Sequence, residues 1–335
     1  MATLFVLEQG AKIGKTSKRI IIEKDGNNIL EVPEFKVEKV FIFGNVQIST
    51  QALRFFLENG QDVSFFTMRG KFLGKLIGYS SKNIILRMKQ YELYKKEDKR
   101  VQFARIFVKS KLKNCRTVLQ KFLRNNREIQ LSEEISRIED LISSVDRKNA
   151  IGSLLGVEGM GSKLYFKGFA KMIKNDEFSF HCRNRRPPKD PVNSMLSFGY
   201  ALLTSEMFSV LSALGFDPYL GIFHSIEYSR PSLALDLIEE LRPAVIDRFA
   251  LDIINKRAIG IGGFEEVKKE EEDVVKLFLS KDARSVFFKH YEARMQSNVT
   301  YLCETVTYRV LLERKARSFI NALNEDGEIE PFIIK

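Results

Sequence analysis

The chain has 335 residues, 44% hydrophobic and 29% charged, which supplies apolar side chains for more than one packed core and argues against global disorder. Lys and Arg number 54 against 43 Asp and Glu, a net charge of +11 that points towards a polyanionic partner such as nucleic acid. Met1–Gly10 holds Glu8 and no long apolar stretch, no run nears the roughly 20 apolar residues of a membrane span, and Cys115, Cys182 and Cys303 show no paired spacing, so neither a signal peptide, a membrane protein, a disulfide scaffold nor a zinc finger is expected, and the setting is read as cytoplasmic.

The first 80 or so residues read as short strands. Leu4–Leu7, Arg19–Ile22, Val40–Phe43 and Val63–Phe66 are β-branched or aromatic runs, separated by turn chemistry at 24–28, 58–60 and 69–70. One helix interrupts them, with Ser49 or Thr50 as N-cap, Ala52, Leu53, Phe56 and Leu57 on one face, and Asn59-Gly60 as its stop. From Asn83 the apolar period changes to three and four, and helices are expected over 83–122, 132–153, 155–174, 191–214, 232–256 and 282–324. Gly260–Gly263 reads as a helix-ending turn, and the tail after Asn324 as loosely ordered. The fold class expected is α+β, a small β-rich domain over 1–82 followed by a larger all-α domain over 83–335.

Between Arg87 and Arg124 thirteen Lys and Arg, Lys109 and Lys113 among them, face only Glu92, Glu97 and Asp98. So unbalanced a stretch is read as a phosphate-tracking surface rather than a solvated helix face. Arg183, Arg185, Arg186 and Lys189 form a second basic cluster around Pro187-Pro188, a loop whose guanidinium groups suit phosphate contacts.

Of the three histidines, His181 has no further ligand nearby on the chain and His290 reads as a helix residue. His224 precedes a helix that Pro231-Ser232 would start and on which Leu233, Leu237 and Leu241 form a stripe. At 100° per residue Asp236 and Glu239 lie about 60° apart on it. With His224 they can converge on a hard divalent ion, Mg²⁺ or Mn²⁺. Spacing alone leaves the alternative open, in fact ahead, that they are polar-face acids and a loop cap. Gly156, Gly159 and Gly161 lack the preceding strand and following Lys-Ser/Thr of a nucleotide loop, and are read instead as room around Glu158. No nucleophile constellation is present.

Three ordered segments carry a resemblance: Leu155–Phe169 (LGVEGMGSKLYFKGF), Arg185–Leu203 (RRPPKDPVNSMLSFGYALL) and Gly221–Pro243 (GIFHSIEYSRPSLALDLIEELRP). With Val46–Leu53 and Gly60 in the first domain, they resemble the adaptation endonuclease-integrase family of CRISPR systems, over essentially the whole chain. The resemblance implies a β-rich domain followed by a helical catalytic domain. It also implies a catalytic metal held by Glu158, His224 and the acid at 239, where many relatives carry Asp and this chain has the longer Glu239. Tyr165, Asp236, Asn193 and Arg242 are implied near the site. The implied activity is insertion of short DNA fragments into a CRISPR array by attack of a 3′-hydroxyl on a phosphodiester. Implied partners are DNA, a second copy of the chain joined through its β domain, and the small second adaptation protein. The alternative is a metal-dependent nuclease acting on branched DNA in repair.

Overall fold

The computed structural model describes residues 2–78, 83–184, 188–269, 272–323 and 327–335. The chain divides into two compact units, Met1–Ser80 and Ser81–Lys335.

The first unit holds two four-stranded sheets. In one, β1 (Ala2–Val6), β5 (Val37–Phe43) and β7 (Asp62–Phe66) run parallel and β8 (Phe72–Leu76) closes the edge antiparallel. In the other, β4 (Asn27–Pro33), β3 (Arg19–Lys24) and β2 (Lys12–Thr16) form a meander, with β6 (Gln47–Ile48) parallel to β2. The β3–β4 turn is Asp25-Gly26, both at positive φ, the backbone a two-residue hairpin requires. Helix α1 (Thr50–Glu58) starts at Ser49, whose hydroxyl accepts from the Ala52 N–H, and buries Ala52 and Phe56 with Ile13, Ile20, Val40 and Ile42. Strand β5 is buried on nearly every residue because both its edges are paired and both its faces covered.

The second unit is mainly helical: α2 (Ile84–Lys95), α3 (Glu97–Asn125), α4 (Ser132–Val145), α5 (Ile151–Met172), α6 (Pro191–Leu214), α7 (Ser232–Ile238) and α8 (Arg248–Asn255), then α9 (Lys281–Gln296) and α10 (Tyr308–Ala322). Two glycines one heptad apart set the register of α5 on α3. A Cβ at Gly161 would stand 2.1 Å from Leu112 Cδ2, and one at Gly168 2.9 Å from Leu119 Cδ2. Leucines seven apart thus fill notches seven apart, and the two helices run parallel with α4 as the return. The room expected at Gly156 and Gly159 is not used for packing, since nothing lies within 4 Å of a Cβ there; the close approach is at Gly161.

Several expectations are corrected, the first being that helices 132–153 and 155–174 part near 154: α4 ends at Val145 and α5 starts at Ile151. The stretch 282–324 is broken by a hairpin, β11 (Asn298–Tyr301) with β12 (Glu304–Thr307), where Val299-Thr300 and Thr305-Val306-Thr307 favour strand and Leu302-Cys303 turn at positive φ. The stretch 232–256 is not one helix. Pro243 has no N–H to donate, so α7 ends early and a π-helical turn, Pro243–Asp247, leads into α8. The turn at Gly260–Gly263 opens a second hairpin, β9 (Phe264–Lys269) with β10 (Glu272–Leu279), that the charge-rich sequence hides. The tail is also tighter than expected: among its described residues Ile329, Phe332 and Ile334 are buried. No described helix is long and apolar enough to cross a membrane, and all three cysteines are free.

Candidate metal centre

His224 stands on a chain segment that α2 and α3 pin from behind. Gln90 accepts from the Asp217 N–H and donates to the Asp217 and Leu220 carbonyls. Arg87 donates to the Gly215 carbonyl and Arg100 to that of Ile222. Gly221 is required here, since a Cβ would stand 2.5 Å from Ser232 Cβ. The turn closes on Asp236, whose Oδ2 accepts from the Ile222 and Phe223 N–H groups (2.6 and 3.0 Å) and whose Oδ1 accepts from the His224 N–H (3.1 Å). His224 Nδ1 also lies 2.6 Å from Asp236 Oδ1. An ionised carboxylate only accepts, so Nδ1 carries the proton and Nε2 is the nitrogen left to meet a ligand. Asp236 therefore orients the histidine.

Glu239, at the end of α7, is 2% exposed. Arg242 Nη1 is 2.8 Å from its Oε1, Lys111 Nζ 2.7 Å from its Oε2, and His224 Nε2 3.9 Å from its Oε1. Glu158, on α5, meets the same Lys111 ammonium through Oε1 and accepts there from Ser162 Oγ at 2.8 Å. One buried ammonium is thus shared by two carboxylates from different helices. Burial pushes both acids upward, yet Lys111 on Glu158, and Arg242 and Lys111 on Glu239, hold them below the usual glutamate range. For Lys111 itself burial acts downward and is outweighed by Glu239 and Glu158.

Lys111 is the member that sequence reasoning missed, because it was counted with the basic run of α3. No local signal in the sequence marks it, because its role follows from Leu112 seating Gly161, three positions after Glu158. Among the described residues no three His, Cys, Asp or Glu side chains close on one point tightly enough to hold a metal ion as they stand; the ammonium lies between the two acids. The donor set still suits a hard divalent cation: two ionised carboxylates already share one positive charge, and an oriented imidazole presents its Nε2 3.9 Å from one of them, Glu239.

Behind Lys111 lies a cavity of about 20 Å³, lined among others by Tyr165, Arg183, Tyr200, Arg242 and Asp247. Tyr200 donates to Asp247. The Arg183 and Arg242 guanidinium groups lie over the Tyr200 ring at 5.3 and 5.0 Å. Burial raises Asp247 to about 6, against opposing contributions from Tyr200, Tyr165, Arg183 and Lys111. Tyr165 is 1% exposed, a core residue beside the site rather than a surface one.

Several basic residues expected to face phosphates are engaged within the fold. Arg183 donates to Asn193 Oδ1 (2.7 Å) and Ser197 Oγ (3.0 Å). Asn193 in turn ties the Asn184 N–H, the Cys182 carbonyl and Asp190, so it anchors the loop at the start of α6. Arg105 holds the Lys148 carbonyl, Lys109 pairs with Asp146 at 2.5 Å, and Arg116 pairs with Glu139. Lys113 is half-buried and Lys189 exposed. Arg185 and Arg186 lie outside the described residues. Glu240, the neighbour of Glu239 on the chain, turns away to Lys315, 2.5 Å distant and fully buried.

The comparisons bear on the whole arrangement. The family model for CRISPR associated protein Cas1 matches residues 4–293. The CRISPR-associated endonuclease Cas1 3 of Thermus thermophilus is 30% identical over 100% of this chain and 98% of its own length. A CRISPR-associated exonuclease Cas4/endonuclease Cas1 fusion of Geobacter sulfurreducens is 32% identical over 98% of this chain, which spans 59% of the fusion. Among solved structures, a chain of a partial Cas6-RT-Cas1–Cas2 complex superposes with a TM-score of 0.68 at 26% identity, covering 98% of both chains. With its strand-rich first unit and helical second unit, the chain belongs to the CRISPR-associated Cas1 family.

Proposed function

We propose that this protein inserts short DNA fragments as new spacers into a CRISPR array, by attack of the fragment's 3′-hydroxyl on a phosphodiester, with Mg²⁺ or Mn²⁺ held by Glu158, His224 and Glu239. The observation that carries the reading is the convergence of Glu158 and Glu239 on one cation, with His224 Nε2 3.9 Å from Glu239. When bound, the ion would lower the hydroxyl's pKa and offset charge on the phosphate. Asp236 holds His224 in the ligating tautomer, Arg242 fixes the second oxygen of Glu239, and Ser162 steadies Glu158. The Ser225–Arg230 loop beside His224 turns Ile226 and Tyr228 outward, a surface on which an unstacked base can rest. Of the basic residues read as DNA-binding, Lys189 is exposed and Lys113 half-buried, so both can reach backbone phosphate.

Insertion needs one attack on each strand, so a symmetric assembly is part of the proposal. Ile29, Leu30 and Phe35, exposed along and just after the edge strand β4, support pairing of two copies through the first unit. The Cas1–Cas2 complex among the structural relatives supports the small second adaptation protein as a partner. Mass measurement with and without that partner tests the assembly; a monomer under both conditions would sink it.

The chemistry is tested with a supercoiled plasmid carrying a repeat and a labelled duplex ending in 3′-hydroxyl or 3′-deoxy. Label should join the plasmid only with the 3′-hydroxyl and Mn²⁺, and not with Glu158→Ala or His224→Ala. Cutting without joining in every condition would favour hydrolysis of branched DNA instead.

A further inference from the structure

Lys111 is 6% exposed, and its Nζ contacts Glu158 Oε1 and Glu239 Oε2. Without a cation there, two ionised carboxylates would face each other in a buried space. Arg242 does not fill that role, because it binds Glu239 through the other oxygen. A divalent ion and an ammonium cannot both sit within bonding distance of the same two carboxylate oxygens without facing one another at low dielectric. The lysine side chain, an unbranched four-carbon stem, is the partner able to withdraw. We propose that Lys111 is the resident cation of the metal-free centre and that a divalent ion enters by exchange with it.

The inference rests on the reading of Glu158, His224 and Glu239 as ligands and adds a positioning residue to it. In the metal-free protein Lys111 keeps the acids ionised, close and aimed at one point, so that metal entry requires one side chain to move rather than α5 and α7 to rearrange. The device also sets a threshold, since the ion's affinity is lowered by the cost of displacing the lysine.

The test is Mn²⁺ titration calorimetry on metal-stripped full-length protein, paired with thermal melts, for wild type, Lys111→Met and Lys111→Arg. Lys111→Met should bind Mn²⁺ on the order of tenfold more tightly than wild type. It should also melt lower without metal and gain more from Mn²⁺, while Lys111→Arg should stay close to wild type. A second measurement needs no variant: amine-reactive labelling of Lys111 in the wild type, read by mass spectrometry, should rise severalfold on adding Mn²⁺. Wild type that binds Mn²⁺ with Lys111 labelling unchanged, or Lys111→Met that binds no more tightly, overturns the exchange alone. No Mn²⁺ uptake by any of the proteins overturns it together with the ligand assignment.

Discussion

Asp236 Oδ1 lies 2.6 Å from His224 Nδ1, and the same carboxylate gathers three consecutive backbone N–H groups, those of Ile222, Phe223 and His224. One fully buried acid therefore sets both the path of the main chain and the tautomer of the imidazole at its end. Asp236→Asn keeps the volume but gives up an acceptor and can point its amide at a donor. Mn²⁺ affinity should fall by about 10- to 100-fold, as for other lost orienting partners of metal-bound histidines. Stability should drop by about 1–3 kcal/mol. Calorimetry together with denaturant unfolding checks both; unchanged affinity would mean that the histidine needs no orienting partner.

The α3–α5 contact makes a graded prediction. At Gly161 an alanine gains about 1 kcal/mol of helix propensity over glycine. Its Cβ, however, would stand 2.1 Å from the tip of Leu112, which must rotate away. Gly161→Ala should therefore melt close to wild type, whereas Gly161→Leu should lose at least about 3 kcal/mol and push Lys111 off Glu158. Gly161→Leu combined with Leu112→Ala should regain part of the loss, because the added and removed volumes face each other. Urea unfolding of the three proteins decides it.

How far the sequence carried follows from which interactions are local. Strands β1, β3, β5 and β7, the Ser49 cap and α6 between Pro191 and Gly215 depend on caps, turns and periodicity within ten residues or so, and were legible. Strands β2, β4, β6 and β8 lack a dense β-branched or aromatic run and were not. Pro243 was visible too, but reading 232–256 as one helix gave its missing N–H too little weight. The β11–β12 hairpin was hidden because Leu302-Cys303 is not turn chemistry, and the surrounding fold holds those residues at positive φ. At the site, Glu158, His224 and Glu239 came from a resemblance, since spacing by itself favoured ordinary polar-face acids. The shared partner of the two glutamates was not legible at all: whether Lys111 faces phosphate or protein depends on which helix packs against α3, 47 residues away in the chain.

The C-terminal segment straps the back of the centre. Asn114 donates to the Glu240 and Phe332 carbonyls and accepts from the Ile334 N–H, each at 2.8 Å. Lys315 joins Glu240 to the Glu330 carbonyl. Lys315→Met leaves Glu240 as an unpaired buried charge and should cost about 3–5 kcal/mol, most of it recovered when Glu240→Leu is added. The single variant should also lower integration activity, because Glu240 adjoins Glu239. A single variant as stable as wild type would show that Glu240 is solvated in solution.

Asp247 makes the second unit sensitive to pH in a direction opposite to the two glutamates. Its carboxyl, raised by burial from 3.8 to about 6, binds its proton more tightly folded than unfolded. The stabilisation from that proton is complete below the unfolded value and is lost as pH rises through the folded one, so this group weakens the fold between about pH 4 and pH 6. Glu158 and Glu239 are depressed, so their contribution is present above 4.5, the ordinary value, and is lost as pH falls. Asp247→Asn cannot ionise yet still offers Tyr200 an acceptor. Relative to wild type it should gain about 3 kcal/mol on going from pH 4 to pH 7, from a difference of about two pKa units at 1.36 kcal/mol each. Denaturant unfolding of both proteins across that range gives the difference curve directly. A flat difference would mean that Asp247 titrates alike in the folded and unfolded chain, and so is hydrated within the cavity it shares with Tyr200 and Lys111.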